Sequence, residues 1–237
     1  MQLSFLRGFF MKYELIIFDM DGTILNTIED LTDCANHFCA QYGFKTHTYD
    51  EFKFFVGNGI PKMIQRALPK DIAPELYEKI LSDYLEYYPK HSAEKTRAYD
   101  GIIECIKNLK KAGLTIAVNT NKIESAAIDL CNDYFPNLFD IISGSRKGVP
   151  PKPAPDGIFE ILERFGINRK EYINSGKKIP ACYIGDSDVD LQTGINSGLD
   201  FIGVDWGFRG KDFLFQHGAQ KVLETAQELS EYILGKK

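Results

Sequence analysis

The chain has 237 residues, 44% of them hydrophobic and 26% charged, which suits one globular domain or one domain with a smaller insertion. Its net charge of −5, with no Lys/Arg cluster, argues against nucleic acid as a partner. No apolar stretch is long enough to cross a bilayer, which argues against a membrane protein and leaves the cytoplasm as the expected location.

Residues 1–10, MQLSFLRGFF, are apolar but broken by Arg7. They lack the layout of a signal peptide. They are expected to be an extension ahead of the domain, with Met11 as the natural start. The first clear element is the run LIIF at 15–18, which ends in Asp19 and Asp21 of DMDGT. No convincing strand follows until about Tyr99. Helical patterns fall instead near 28–42, 49–55, 60–68 and 74–88, with Thr27 and Asp30 as candidate caps of the first. Gly57-Asn58-Gly59 reads as a tight turn before Pro61, which suits a first helical turn. The expected organisation is an α/β core over 11–25 and 100–237, with a helical cap inserted over 26–99.

Four more continuous apolar runs follow, at 114–118, 139–143, 181–185 and 201–204, separated by helical patterns at 102–112, 123–134, 156–165 and 189–196. Continuous rather than alternating apolar runs suit strands covered on both faces. The alternation predicts an α/β fold with a doubly wound, mostly parallel, Rossmann-like sheet of about five strands. The five cysteines form no C-x-x-C pair and their count is odd, which fits free buried thiols in a reducing compartment. The four histidines are scattered and read as structural or exposed.

Residues i and i+2 of a strand point to the same side, so Asp19 and Asp21 would converge at the carboxyl edge of a parallel sheet, where open α/β sheets bind ligands. Two solvated loop acids would be the plain alternative. The other strand ends argue against it. The second run leads into Asn119-Thr120-Asn121-Lys122, a hydroxyl and amides able to hold a phosphate oxygen. After the third comes PPKPAP with Lys152, and the fourth ends in GDSDVD with Asp186, Asp188 and Asp190. Acids, a hydroxyl and a lysine at four strand ends suit a metal ion and a phosphate. Mg²⁺ takes oxygen ligands and offsets the repulsion between carboxylate and phosphate. One carboxylate can then attack phosphorus while a second handles protons, with Thr120 and Lys152 positioning the transferring group.

DMDGT, a threonine after the second strand, the lysine of KPAP and GDSDVD together resemble the four motifs of the haloacid dehalogenase superfamily of phosphohydrolases. The resemblance runs from Leu15 to about Gly207 and implies roles. Asp19 would be the nucleophile and Asp21 the general acid/base. Asp19, the Asp21 carbonyl and Asp186 would hold Mg²⁺, with Asp190 beside the metal, orienting Lys152 or a water. The helical insertion matches the mobile cap of many members. FDMDGTILNT, VGNGI with RAL, NTNK and PPKPAP further resemble phosphoglycolate phosphatases. That implies a small phosphorylated metabolite as partner, 2-phosphoglycolate first, in a monomer or homodimer. Gly57, Asn58 and Gly59 would then read the organic part of the substrate. One departure is AYDGI at 98–102, where that family commonly has proline at the hinge.

Other readings carry less. A calcium loop in DSDVDLQTGINS lacks the glycine and glutamate it needs, and GNGIPK lacks the third glycine of a dinucleotide fingerprint. A phosphoacceptor receiver would share the aspartate, threonine and lysine, but it is about half this length and lacks both the second acid and a cap. A sugar-phosphate phosphatase or mutase, a nucleotidase and a pyrophosphatase of the same superfamily remain as alternatives.

Overall fold

The computed structural model describes residues 12–236, so the expected extension over 1–10 and the start at Met11 lie outside the described residues. The first strand, β1 (Leu15–Phe18), is buried along its whole length. A two-residue strand, β2 (Leu25–Asn26), leads into four helices: α1 (Ile28–Gln41), α2 (Tyr49–Lys53), α3 (Ile60–Ala67) and α4 (Pro74–His91). The chain returns through β3 (Arg97–Ala98), antiparallel to β2. The remaining elements are α5 (Ile102–Lys111), β4 (Thr115–Ile123), α6 (Glu124–Tyr134), β5 (Ile141–Ser145), α7 (Asp156–Arg164), α8 (Arg169–Ser175), β6 (Ala181–Gly185), α9 (Asp188–Ser197), β7 (Asp200–Val204), α10 (Lys211–Gln216), β8 (Val222–Leu223) and α11 (Ala226–Ile233).

The main sheet has the order β5-β4-β1-β6-β7-β8 and all its pairings are parallel. Its six strands exceed the five expected. The added β8 is two half-buried residues, too short to show as an apolar run. Both faces are covered. Ile16 and Phe18 of β1 pack with α5, α6 and α11, while Leu15 and Ile17 pack with α7. That double burial is why the strand sequences are continuously apolar. Strand order reverses at β1: the chain runs outward through β4 and β5, then returns to the other side of β1 with β6. Ligand crevices of open α/β sheets lie at such switch points, and here this is where Asp19 leaves the sheet.

Two strands differ from expectation. β4 continues to Ile123, through Asn119, Thr120, Asn121 and Lys122, with a register shift against β5 in that stretch. β5 lies two residues later than the apolar run because Ser143, Gly144 and Ser145 belong to it. A Cβ on Gly144 would stand 2.4 Å from Glu124 Cα, so only glycine lets α6 begin against this strand.

The helices of 28–91 form their own apolar cluster, centred on Phe38, Phe52, Tyr84 and Tyr88. The expected caps of α1 do other work. Thr27 makes no capping bond to the helix and instead donates to Asp21 Oδ1 at 2.7 Å. Asp30, 2% exposed, accepts from the backbone N–H groups of Lys95 (2.9 Å) and Thr96 (2.8 Å). It thereby fastens the outgoing chain to the returning chain beside β2 and β3. Removing a buried charged acceptor leaves two backbone donors unpaired. Asp30→Ala is expected to destabilise the protein by about 1.5–3 kcal/mol, read as a lower urea midpoint at unchanged slope. Asp30→Asn should lose less, because it keeps one acceptor.

Candidate active site

The site is built where β1, β4 and β6 end side by side. Asp19 is held by its own backbone N–H, which donates to Ile184 O at 2.8 Å. The following loop is wound tightly on Met20 O, which accepts from the N–H groups of Thr23, Ile24 and Leu25. Gly22 has φ +92° in that loop, and a Cβ there would lie 2.4 Å from Asp186 Oδ2. Both conformation and space therefore demand glycine in DMDGT.

Lys152 organises the carboxylates. Its ammonium donates to Asp19 Oδ1 (2.6 Å), Asp190 Oδ1 (2.7 Å) and the Tyr183 hydroxyl (2.9 Å), which uses all three of its donors. Burial alone would lower its pKa, but the Asp19 and Asp190 charges outweigh that and hold it well above the ordinary lysine value. Asp190 also accepts from the Ser187 N–H and hydroxyl through Oδ2, as part of a capping box that starts α9. Its oxygens are thus already engaged. Asp186 accepts from the Thr23 hydroxyl (3.1 Å) and the Phe208 N–H (2.7 Å), and among the described residues no cation is bonded to it.

Oxygens of Asp19, Asp186 and Asp190 lie within 4.8 Å of one another, all buried. Burial pushes the Asp19 carboxyl well above the ordinary range, and the Asp190 charge adds to this. Burial and the same neighbour push Asp186 up to about 7. Three buried carboxylates against one lysine leave an excess of negative charge. An all-oxygen, anionic donor set of this kind fits a hard divalent cation. Because Asp190 is committed to Lys152, Tyr183 and Ser187, the oxygens best placed to take a metal belong to Asp19 and Asp186.

Asp21 stands apart from this cluster. Its Oδ1 accepts from the Thr27 hydroxyl and from Lys122 Nζ at 2.9 Å. Its carboxylate faces the helical segment, so it can join the metal set only through its carbonyl, as the family resemblance implies. Thr120 is buried and its hydroxyl accepts from the Lys122 N–H, leaving its own proton to donate. Asn121 does not offer its side-chain amide to a phosphate. Nδ2 donates to Gly57 O (2.8 Å) and Lys152 O (3.1 Å), and Oδ1 accepts from Lys152 N (2.8 Å). It is a tether between β4, the lysine loop and the helical segment.

Asp19, Asp21, Thr120 and Lys152 open into one small cavity of about 40 Å³, roofed by Gly57, Gly59 and other residues of the helical segment. Asn58 instead lines an adjoining cleft with Pro61, Lys62 and Tyr77. Sequence reasoning assigned no part to Lys122, Tyr183 or Tyr88. Lys122 was visible as the end of NTNK, but only the longer β4 shows that its side chain turns inward.

The sequence pattern of the haloacid dehalogenase-like hydrolases matches residues 16–204. The chain belongs to that family, and within it to the phosphoric monoester hydrolases. It is 33% identical over 202 residues to a phosphoglycolate phosphatase of Agrobacterium fabrum, covering 82% of this chain and 81% of the relative. It is 30% identical over 202 residues to one of Mesorhizobium japonicum, covering 84% and 85%. Among solved structures, an inferred phosphoglycolate phosphatase from Lactobacillus delbrueckii subsp. bulgaricus superposes with a TM-score of 0.87 at 35% identity, over 95% of this chain and all of that one. CbbY of Rhodobacter sphaeroides, solved in complex with phosphate, gives 0.71 at 26% identity, over 92% and 96%.

The charge excess gives a test independent of turnover. Millimolar Mg²⁺ is expected to raise the melting temperature of the wild-type protein, since a ligand that binds only the folded state stabilises it by mass action. Asp186→Asn should abolish most of that rise. An equal rise in both proteins would place the ion elsewhere.

Proposed function

We propose that the protein is a Mg²⁺-dependent phosphatase acting on 2-phosphoglycolate through an aspartyl-phosphate on Asp19. The observation that carries this reading is the split environment of the two acids of DMDGT. Asp19 lies in the buried carboxylate–lysine cluster, whereas Asp21 lies across the same cavity with Thr27 and Lys122. One acid is placed for nucleophilic attack and the other for proton transfer.

The substrate's phosphate would sit between Asp19, Thr120 and Lys152. An oxygen of Asp19 attacks phosphorus, the bond from phosphorus to the ester oxygen breaks, and Asp21 gives its proton to that oxygen. A water then enters and Asp21 takes a proton from it. The water oxygen attacks phosphorus, the bond to Asp19 breaks, and inorganic phosphate leaves. Lys152 holds the attacking carboxylate and balances charge on the transferring group. Mg²⁺ held by Asp19 and Asp186, and by the Asp21 carbonyl if it follows the family, would neutralise charge between carboxylate and phosphate. The helices of 28–91 would act as a cap that excludes water, on a core formed by the rest of the chain.

The substrate assignment rests on the two bacterial relatives named phosphoglycolate phosphatase. Sugar phosphates are the second reading, because a mutant of the structurally similar CbbY was solved in complex with xylulose-(1,5)bisphosphate. Five buried, free cysteines are consistent with a reducing compartment. Among the described residues no helix is long and apolar enough to cross a membrane.

A phosphate-release screen over small phosphorylated metabolites with Mg²⁺ tests the assignment, with 2-phosphoglycolate expected at the top. Asp19→Asn is expected to abolish turnover, since an amide cannot attack phosphorus. Near wild-type activity in that variant would end the covalent mechanism. Asp21→Asn is expected to lower kcat on 2-phosphoglycolate by about 10²–10⁴-fold. Its effect on p-nitrophenyl phosphate should be much smaller, because that leaving group needs little protonation. Uptake of one phosphoryl group without turnover in the wild type would favour a phosphoacceptor switch.

A further inference from the structure

Lys122 is a buried cation with no part in the chemistry above. Its side chain is 2% exposed and it lines the substrate cavity. The ammonium donates to Asp21 Oδ1 (2.9 Å) and to the Tyr88 hydroxyl (2.6 Å), and among the described residues no acceptor takes its third proton. Tyr88, on α4, is 1% exposed and lines the same cavity. Its hydroxyl accepts from Lys122, so its own proton is free to donate. Two hydrogen-bond donors, one of them charged, thus remain uncommitted beside the cavity.

We propose that Lys122 and the Tyr88 hydroxyl form an anion subsite that reads a carboxylate carried two bonds beyond the scissile ester oxygen. The inference rests on the phosphatase reading above and deepens its substrate assignment. Two arguments support it. Lys122 and Lys152 are the two cations lining the cavity, and every donor of Lys152 is already bound to Asp19, Asp190 and Tyr183. A second anionic group on the substrate therefore has Lys122 as its countercharge. The spacing also fits. Asp21 must come within about 2.6–3.2 Å of the leaving oxygen to protonate it, and Lys122 Nζ stands 2.9 Å from Asp21 Oδ1. A carboxylate two bonds past that oxygen falls within reach of the ammonium, and a methyl group in its place would leave the third ammonium donor without an acceptor. Because Tyr88 comes from α4 and Lys122 from β4, the subsite is complete only when the helical segment lies against the core.

The test compares 2-phosphoglycolate with ethyl phosphate, which keeps the ester and replaces the carboxylate by a methyl group. The wild type should prefer 2-phosphoglycolate. Lys122→Met should cut the ratio of the two kcat/KM values by about 10–100-fold, the worth of a hydrogen bond to a charged group, with the loss mainly in KM for 2-phosphoglycolate. Lys122→Arg should recover part of the ratio. Should Lys122→Met fail to fold, Tyr88→Phe, which keeps the ring, should lower the same ratio by a smaller factor. A ratio unchanged in both Lys122→Met and Tyr88→Phe, even with both activities reduced, would overturn the subsite and leave Lys122 as a positioning residue for Asp21. A wild type that treats the two esters alike would overturn the substrate reading as well. A bisphosphorylated sugar whose turnover depends on Lys122 more strongly than that of 2-phosphoglycolate would assign the subsite to a second phosphate and overturn the carboxylate.

Discussion

The structure turns on the burial of three carboxylates around one lysine at the end of the central strand. Charges removed from water are tolerated only when paired and hydrogen-bonded. Here Lys152 reaches Asp19 and Asp190 from the loop after β5, and Tyr183 steadies it from within β6. Three segments far apart in sequence must therefore meet within hydrogen-bond range. The parallel sheet makes this possible, because it sets the carboxyl ends of β1, β4 and β6 side by side. Among the described residues no cation is bonded to Asp186, and its carboxyl is raised to about 7 by burial and by Asp190. The fold has assembled an anionic, all-oxygen site at the sheet edge.

The second constraint is the seam between the helical segment and the sheet edge. Asn121 ties the Gly57 carbonyl to the loop that carries Lys152. Across the seam, Arg209 donates to the carbonyls of Lys53 and Val56, with its guanidinium over the Phe54 ring. Lys122 reaches Tyr88. Each contact joins a core residue next to a catalytic candidate to the helices above it. Lifting those helices would break these bonds together. Asn121, Arg209 and Lys122 thus couple the position of the helical segment to the arrangement of the site.

Much of this was legible in the sequence. Double burial made the strands read as continuous apolar runs, and chemistry-bearing residues at their ends marked the sheet edge. DMDGT, Thr120, Lys152 and GDSDVD do meet. The misses have physical causes. Thr27 and Asp30 have the right type and spacing for a helix cap, yet long-range partners, Asp21 and the backbone of Lys95 and Thr96, take their side chains instead. β8 and the β2–β3 pair are too short for any periodic signal. Asn121 has the amide expected of a phosphate ligand, but a tether to Gly57 needs the same group, and only three dimensions show which partner takes it. Lys122 ends a polar tetrapeptide that resembles a solvated loop, and its burial follows from β4 continuing past the apolar run.

That continuation of β4 also explains how one strand end can serve two sides of a cavity. Up to Asn119 the strand is paired in register with β5, and beyond it the register shifts before Ile123 pairs again. In the shifted stretch, Thr120 faces the cavity beside Asp19 and Lys152, Asn121 turns to the helical roof, and Lys122 reaches Asp21 and Tyr88. A regular strand would send alternate side chains to opposite faces of the sheet, so three consecutive residues could not all line one site. The register shift falls in the stretch where Thr120, Asn121 and Lys122 all contribute to it. Thr120, Asn121 and Lys122 thus bring a hydroxyl, a tether and a second ammonium to a cavity whose other walls come from the end of β1, the helical segment and the lysine loop.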